Sequence, residues 1–209
     1  IFWGENSATQ VGEKSILGKD EFDGNKLRKM NTIQAGGDNW VNELAGNSKG
    51  NHYVYPDEIE FEKKKINIYF LGPAWDDWSN TNNAAYAALH GLTLRPSEED
   101  KTGDISNASM LDEEFTNINM MIKYYKFGFG RASDIVNESI RLGEMSRNDG
   151  IKIVKKYDGV CDDSIISSYC SYVGIEITEF WEIVYSYTNK KLFNINEDIL
   201  RPIRKFKIG

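Results

Sequence analysis

The strongest constraint on the fold of this chain is the way glycine interrupts the apolar pattern of its C-terminal half. Leu111 to Tyr125 is apolar at helical spacing through Phe115, Ile118, Met121, Ile122 and Tyr125. Phe127-Gly128-Phe129-Gly130 breaks that pattern. Arg131 to Leu142 resumes it, with Ile135, Ile140 and Leu142 expected to face inward, and Gly143 stops it. Ser146, three residues before Asp149, makes a near capping box for a helix that runs to Tyr157 and ends at Asp158-Gly159. Asp163 to Val173 follows, closed by Gly174, and Thr178 reads as the cap of Glu179 to Tyr187. Asn189 to Gly209 reads as an irregular tail with a basic run, Arg201, Arg204, Lys205 and Lys207. Short helices with tight caps predict an all-helical subdomain over 109–209.

The N-terminal half follows another grammar. Ile1-Phe2-Trp3 reads as the end of a buried strand that runs into a polar loop at Gly4. Proteins seldom begin inside a core strand, so part of the protein is expected to be missing ahead of Ile1. Lys65 to Leu71 alternates and then becomes continuously apolar before Gly72-Pro73, a second strand. Thr81 to Leu89 has high helix propensity, with Gly91 just past its end. Strand, tryptophan loop and helix together predict an α/β unit over 1–108. Glu5 to Gly50 is polar, with weak helical stretches at Lys19 to Asn31 and Asn39 to Ala45, and reads as an insertion or lid. Pro96 to Ala108 is a second polar stretch and a plausible seam.

Composition narrows the function classes. Eleven Tyr, ten Phe and five Trp supply a core, which excludes wholesale disorder. A net charge of -7 and a pI near 5.0 argue against nucleic acid or an anionic membrane as partner. No apolar run approaches the roughly 18 residues of a membrane span, and no signal-peptide pattern is visible, so a cytoplasmic location is expected. Cys161 and Cys170 form neither a CxxC pair nor a disulfide framework, and Cys161 reads as structural. His52 and His90 are isolated, which supports neither a zinc site nor a Ser-His-Asp arrangement.

Four stretches carry candidate chemistry. Trp3-Gly4-Glu5-Asn6, at the C-terminal end of a strand, stands where open α/β sheets bind ligands. Its glycine admits a phosphate and its carboxylate and amide suit Mg²⁺ or a ribose, though for four residues alone an ordinary turn is the better reading. Gln34-Ala35-Gly36-Gly37-Asp38-Asn39 superficially resembles an SGGxDS pyrophosphate loop, but it lacks both serines and any preceding strand. A plain loop is the better reading. Trp75-Asp76-Asp77-Trp78 offers paired carboxylates between indoles, either a metal or sugar platform or a solvated loop. Lys126 to Asp134 is the densest stretch. Backbone N–H groups at the helix start, with Lys126 and Arg131, make a plausible phosphate or carboxylate site. Composition alone favours a tight interhelical turn with an ion pair, in which Asp134 and Arg141 share a helix face.

Taken together, IFWGEN, WSNTNNAAYAALHG, KFGFGRASDIVNESIRLGEMSRNDGIKIVKKYDG and YVGIEITEFWEIV resemble the N-acetyl sugar amidotransferase family of surface-polysaccharide and lipopolysaccharide (LPS) biosynthesis. Members are PP-loop ATPases that make acetamidino sugars. The resemblance covers nearly the whole chain, with Ser7 to Glu60 fitting only loosely and Trp75-Asp76-Asp77 departing from the pattern. It implies an adenine nucleotide alpha hydrolase-like parallel-sheet domain, of which 1–108 is the remainder, followed by a helical domain over 109–209. Full-length members carry a Cys-containing segment and strand–SGGKDS–helix before the strand ending in WGEN. The resemblance therefore implies an N-terminally truncated member, inactive alone because its pyrophosphate loop is absent.

The implied reaction uses ATP and Mg²⁺. An acetamide carbonyl is a poor electrophile, so its oxygen is expected to attack the α-phosphorus of ATP, expelling pyrophosphate and leaving an adenylated imidate. Ammonia then displaces AMP and leaves the amidine. The implied partners are the N-acetylated sugar, an ammonia-supplying glutaminase pair resembling imidazole-glycerol-phosphate synthase, and the chain's own N-terminal half. Carried onto this sequence, Gly4, Glu5 and Asn6 fall on the ATP side, with Glu5 on the metal. Trp78 and Asn83 match a W-x4-N signature near the nucleotide or sugar. Lys126, Gly128, Gly130, Arg131 and Asp134 match the FG[FY]G[RK] block. Arg131, Lys126 and Asp134 are the implied catalytic residues and Gly128 and Gly130 lie on the cofactor side; Lys126 and Arg131 are expected to hold the anionic donor or leaving phosphate, with Arg141 and Arg147 as weaker candidates. The competing readings are a non-catalytic helical interaction module and another PP-loop enzyme such as a tRNA thiolase. The acidic chain and its lack of sulfur-transfer cysteines count against the thiolase.

Overall fold

The structure is a computed structural model that describes residues 2–3, 21–23, 57–74, 79–196 and 199–209. The chain divides into two compact units, Ile1–Trp78 and Ser79–Gly209, so the helix after the second strand and the 96–108 stretch both fall in the second unit. Gly4, Glu5, Asn6, His52, the Gln34 to Asn39 run and Trp75 to Trp78 lie outside the described residues.

The first unit is built on strand β3 (Asn67–Phe70), within the stretch from Lys65 to Leu71. Strand β1 (Phe2–Trp3) pairs parallel to it, with Phe2 opposite Tyr69 and Trp3 opposite Phe70. Strand β2 (Glu21–Asp23) pairs antiparallel on its other edge. Helix α1 (Glu58–Lys63) precedes β3, capped by Asp57, whose side chain accepts from the Ile59 N–H at 2.8 Å. Glu21–Asp23 corrects the helix expected over Lys19 to Asn31. Local helix propensity there is weak, and the backbone partners offered by β3 override it.

The second unit opens with helix α2 (Asn80–Leu89), where the buried Ser79 hydroxyl accepts from the Asn82 N–H at 3.0 Å. The short α3 (Glu99–Thr102) follows, then α4 (Thr116–Phe127), α5 (Arg131–Arg141), α6 (Arg147–Tyr157), α7 (Asp163–Val173) and α8 (Ile177–Tyr187). The core lies among α4, α7 and α8, where Ile118, Met121, Ile166, Phe180, Trp181 and Val184 are buried. Helices α5 and α6 pack closely through Gly150, where an added Cβ would lie 2.6 Å from Val136 Cγ1.

Five expectations for this unit need correction. Helix α4 begins at Thr116, not Leu111, although Phe115, Ile118, Met121, Ile122 and Tyr125 do reach the core. Leu142 on α5 is exposed, while Ala132, Ile135 and Val136 are buried. Helix α8 starts at Ile177, so Thr178 is its second residue; Glu176 holds the cap position without a side-chain bond. The tail is not irregular, and the unit is not all-helical.

Strands β4 (Phe193–Asn196) and β5 (Ile199–Arg204) form an antiparallel pair with Phe193 opposite Arg204. Phe193 and Ile195 alternate with the exposed Asn194 and Asn196, a period of two too short to stand out in the sequence. Phe193 is 1% exposed, edge-on to both Tyr124 and Tyr125, and anchors the pair to α4. The basic run is likewise not wholly solvated. The Arg201 guanidinium lies 5.4 Å from the Trp181 ring centroid and donates to the Cys161 carbonyl and the Asp163 carboxylate.

Candidate active site at the Phe127 to Arg131 turn

Gly128 ends α4 in the left-handed region at φ 84°, and its N–H donates to the Tyr124 carbonyl at 2.7 Å. The chain then turns through Phe129 into Gly130, the extended residue ahead of α5. Glycine has no side chain with which to cap a helix, yet the N–H groups at its start need acceptors. Asp158 supplies them from the far end of α6. Its carboxylate accepts from the Gly130 N–H at 3.1 Å, the Ser133 N–H at 2.9 Å and the Ser133 hydroxyl at 2.5 Å. An added Cβ on Gly130 would lie 3.1 Å from Asp158 Oδ1, tight against that cap. Gly159 completes the approach. Its φ is +79°, and a Cβ there would enter the Tyr124 ring at 2.2 Å.

Two of the N–H groups that the sequence offers to a phosphate, those of Gly130 and Ser133, therefore already face a carboxylate of the same chain. Two ends of the KFGFGR-to-YDG block, far apart in sequence, meet at this cap. The cationic side chains take separate directions. Arg131 donates through Nη2 to the Ser109 hydroxyl. Its Nε is buried and has no hydrogen-bond partner among the described residues. A buried donor left unpaired costs about 1–3 kcal/mol, so this atom marks either strain or a ligand position.

Ser109 is itself held. Asp104, 3% exposed, accepts from the Ser109 N–H at 3.0 Å, the Ser106 N–H at 3.0 Å and the Ser106 hydroxyl at 2.6 Å. Residues 104–109 therefore form a packed loop rather than a seam, and the Asp162 N–H donates to the Lys101 carbonyl at 2.8 Å beside it.

Lys126 turns elsewhere. Its ammonium lies 5.5 Å from the Phe127 ring centroid and 5.6 Å from that of Tyr187, on the exposed side of the turn. Asp134 pairs with Lys123 at 2.5 Å, and the same lysine lies 4.7 Å from the Phe129 ring centroid. The ion pair expected for this turn is present, but with Lys123 in place of Arg141. Arg141 and Arg147 are exposed. Asn83 is exposed on α2 and bonds through its backbone to the Ser79 carbonyl.

Sequence reasoning thus located Gly128, Gly130, Arg131 and Asp134 in one turn but missed Asp158, Asp104 and Ser109. Asp158 looked like a helix stop, since Asp-Gly does end α6. The Asp104-x-Ser106 spacing was the available signal for the loop, because aspartate commonly accepts from the residue two ahead.

A cleft of about 310 Å³ is lined by Asp158, Tyr124, Tyr125, Cys161 and Arg201 among others. Burial pushes the Cys161 thiol and the Tyr125 phenol up to about 12 each. Neither is a nucleophile near neutral pH, which agrees with a structural Cys161. Among the described residues, no three His, Cys, Asp or Glu side chains gather as a metal site. No helix among them is long and apolar enough to cross a membrane.

The described part of the second unit is thus a helical scaffold closed by a β-hairpin, with an arginine tethered where two helices meet. Residues 109–207 match the family model described as "LPS biosynthesis protein WbpG-like, C-terminal domain". The match takes in Ser109, the Phe127 to Arg131 turn, Asp158 and the hairpin, just under half of the chain. This stretch is therefore similar to a domain of LPS biosynthesis proteins. Comparison with curated proteins gives no match.

Proposed function

We propose that the chain is part of an ATP-dependent amidotransferase of LPS and surface-polysaccharide biosynthesis, converting a sugar N-acetyl group to an acetamidino group. The observation that carries this reading is the match of residues 109–207 to the WbpG-like domain, because it falls on the block that resembles the amidotransferases. The PP-loop fold of 1–108, the cytoplasmic location, the N-acetylated sugar, the ammonia-supplying glutaminase pair and the absence of nucleic-acid and membrane partners belong to the same proposal. The parallel pairing of β1 with β3 supports the fold assignment without being specific to it.

ATP supplies the activation that lets ammonia replace the amide oxygen. The described residues fit this role only in part. With Asp158 in place, the start of α5 has no room for a phosphate on its Gly130 and Ser133 N–H groups. The fitting donor is Arg131, whose Nε lacks a partner among the described residues. Lys126 faces aromatic rings and suits the exposed end of a ligand. Asp134 holds Lys123, so its role is to neutralise that cation beside the turn. Gly128 and Gly130 let the backbone turn tightly enough to bring Arg131 and Asp158 together. Gly4, Glu5, Asn6 and Trp78 keep the nucleotide and Mg²⁺ roles that the resemblance gives them, and Asn83 its place near nucleotide or sugar.

The enzyme that contains this chain, given ATP, Mg²⁺, ammonium and an N-acetylated sugar nucleotide, is expected to release pyrophosphate only with the sugar present and AMP only when both sugar and ammonium are present. Release of ADP and phosphate, or of AMP without the sugar, would exclude this chemistry.

A further inference from the structure

We infer that Asp104 and Ser109 are positioning residues that hold the Arg131 guanidinium where it meets an oxyanion of the substrate, a phosphate or carboxylate oxygen. The inference rests on the reading above, in which Arg131 meets the anionic part of the substrate.

Asp104 is buried, and its carboxylate makes no ion pair among the described residues. Hydroxyl and amide donors surround it. A carboxylate only accepts, so it dictates which way its neighbours point. The Ser106 hydroxyl spends its proton on Asp104 Oδ1 at 2.6 Å. Its oxygen can then accept from the Ser109 hydroxyl, 3.3 Å away. With its own proton so committed, Ser109 Oγ must turn a lone pair to Arg131 Nη2. Both hydroxyl protons run toward the buried carboxylate, and the guanidinium lies at the far end of the row. An arginine is planar and rigid past Cδ, so fixing one outer nitrogen fixes the direction of Nε–H. That N–H is the buried side-chain donor left without a partner among the described residues, on a residue that is only half-buried as a whole.

The alternative is that the row merely shapes the 104–109 loop. A double-mutant cycle in the intact enzyme separates the two, with folding followed by circular dichroism. Ser109→Ala is expected to lower kcat/KM for the sugar nucleotide about tenfold, chiefly through KM. Ser109→Thr keeps the hydroxyl and should retain most of the activity. In an Arg131→Ala background, Ser109→Ala should cost nothing further, since its effect passes through that arginine. Asp104→Asn, which presents donors to donors, should reproduce the Ser109→Ala loss. Parental kinetics for Ser109→Ala, or an equal loss with and without Arg131, would overturn the inference. If Arg131→Ala itself kept full activity, the premise about Arg131 would fall instead, and the two failures are told apart by that single variant.

Discussion

Ser133 gives both its backbone N–H and its hydroxyl to one carboxylate, that of Asp158, at 2.9 and 2.5 Å. The pair joins the start of α5 to the end of α6 and supplies the cap that Gly130 cannot. It also fills the place where the sequence alone invites an external anion.

Removing that carboxylate should therefore be felt in stability. Asp158→Ala leaves the Gly130 N–H and both Ser133 donors without their acceptor and is expected to cost about 1–3 kcal/mol. Asp158→Asn, which keeps one acceptor oxygen, should cost less. Urea unfolding followed by circular dichroism measures both, and a parental midpoint for Asp158→Ala would show that the cap is dispensable.

The buried acids predict an alkaline limit. In the unfolded chain the Cys161 thiol loses its proton near 9.0, whereas burial keeps it protonated to about 12 in the fold. Between those values the folded state binds more protons, so stability falls as pH rises through that window. Burial of Tyr125 acts in the same direction from 10.0 upward. Stability measured at stepwise higher pH should decline from about pH 9. Thiol reagents at pH 8 should label Cys161 only after unfolding, and rapid labelling of the native protein would contradict its burial.

Local chemistry was the legible part of this fold. The span of α7, Asp163–Val173, and the Ser146 cap with Asp149 follow from side chains within three residues of the atoms they serve. The Asp158 cap and the Ser109 tether to Arg131 were not legible, because each joins residues more than 20 positions apart. The hairpin escaped for a related reason. Asn194 and Asn196 are poor strand formers, and the short alternation they share with Ile195 is fixed only when Phe193 packs on the α4 tyrosines. Of the candidate site, the glycines and Arg131 were visible because a break in helical periodicity marks them. The residues that orient Arg131 lie in a polar stretch with no periodicity to break.

Nucleotide binding offers a separate prediction. The chain contains no SGGxDS run, and the α5 N-terminus is occupied by Asp158. Titration of the 209-residue chain with Mg-ATP in a calorimeter should show no micromolar binding, equivalent to about -8 kcal/mol. Micromolar affinity would mean that a nucleotide site exists without the pyrophosphate loop.

The amidotransferase reading is tested most directly by the product itself. The enzyme that contains this chain is given ATP, Mg²⁺, an N-acetylated sugar nucleotide and isotopically labelled ammonium, and the sugar is analysed by mass spectrometry. The predicted product has one acetamide oxygen replaced by NH, with the label in the new nitrogen. A sugar recovered unchanged, or altered without the label, would contradict the account.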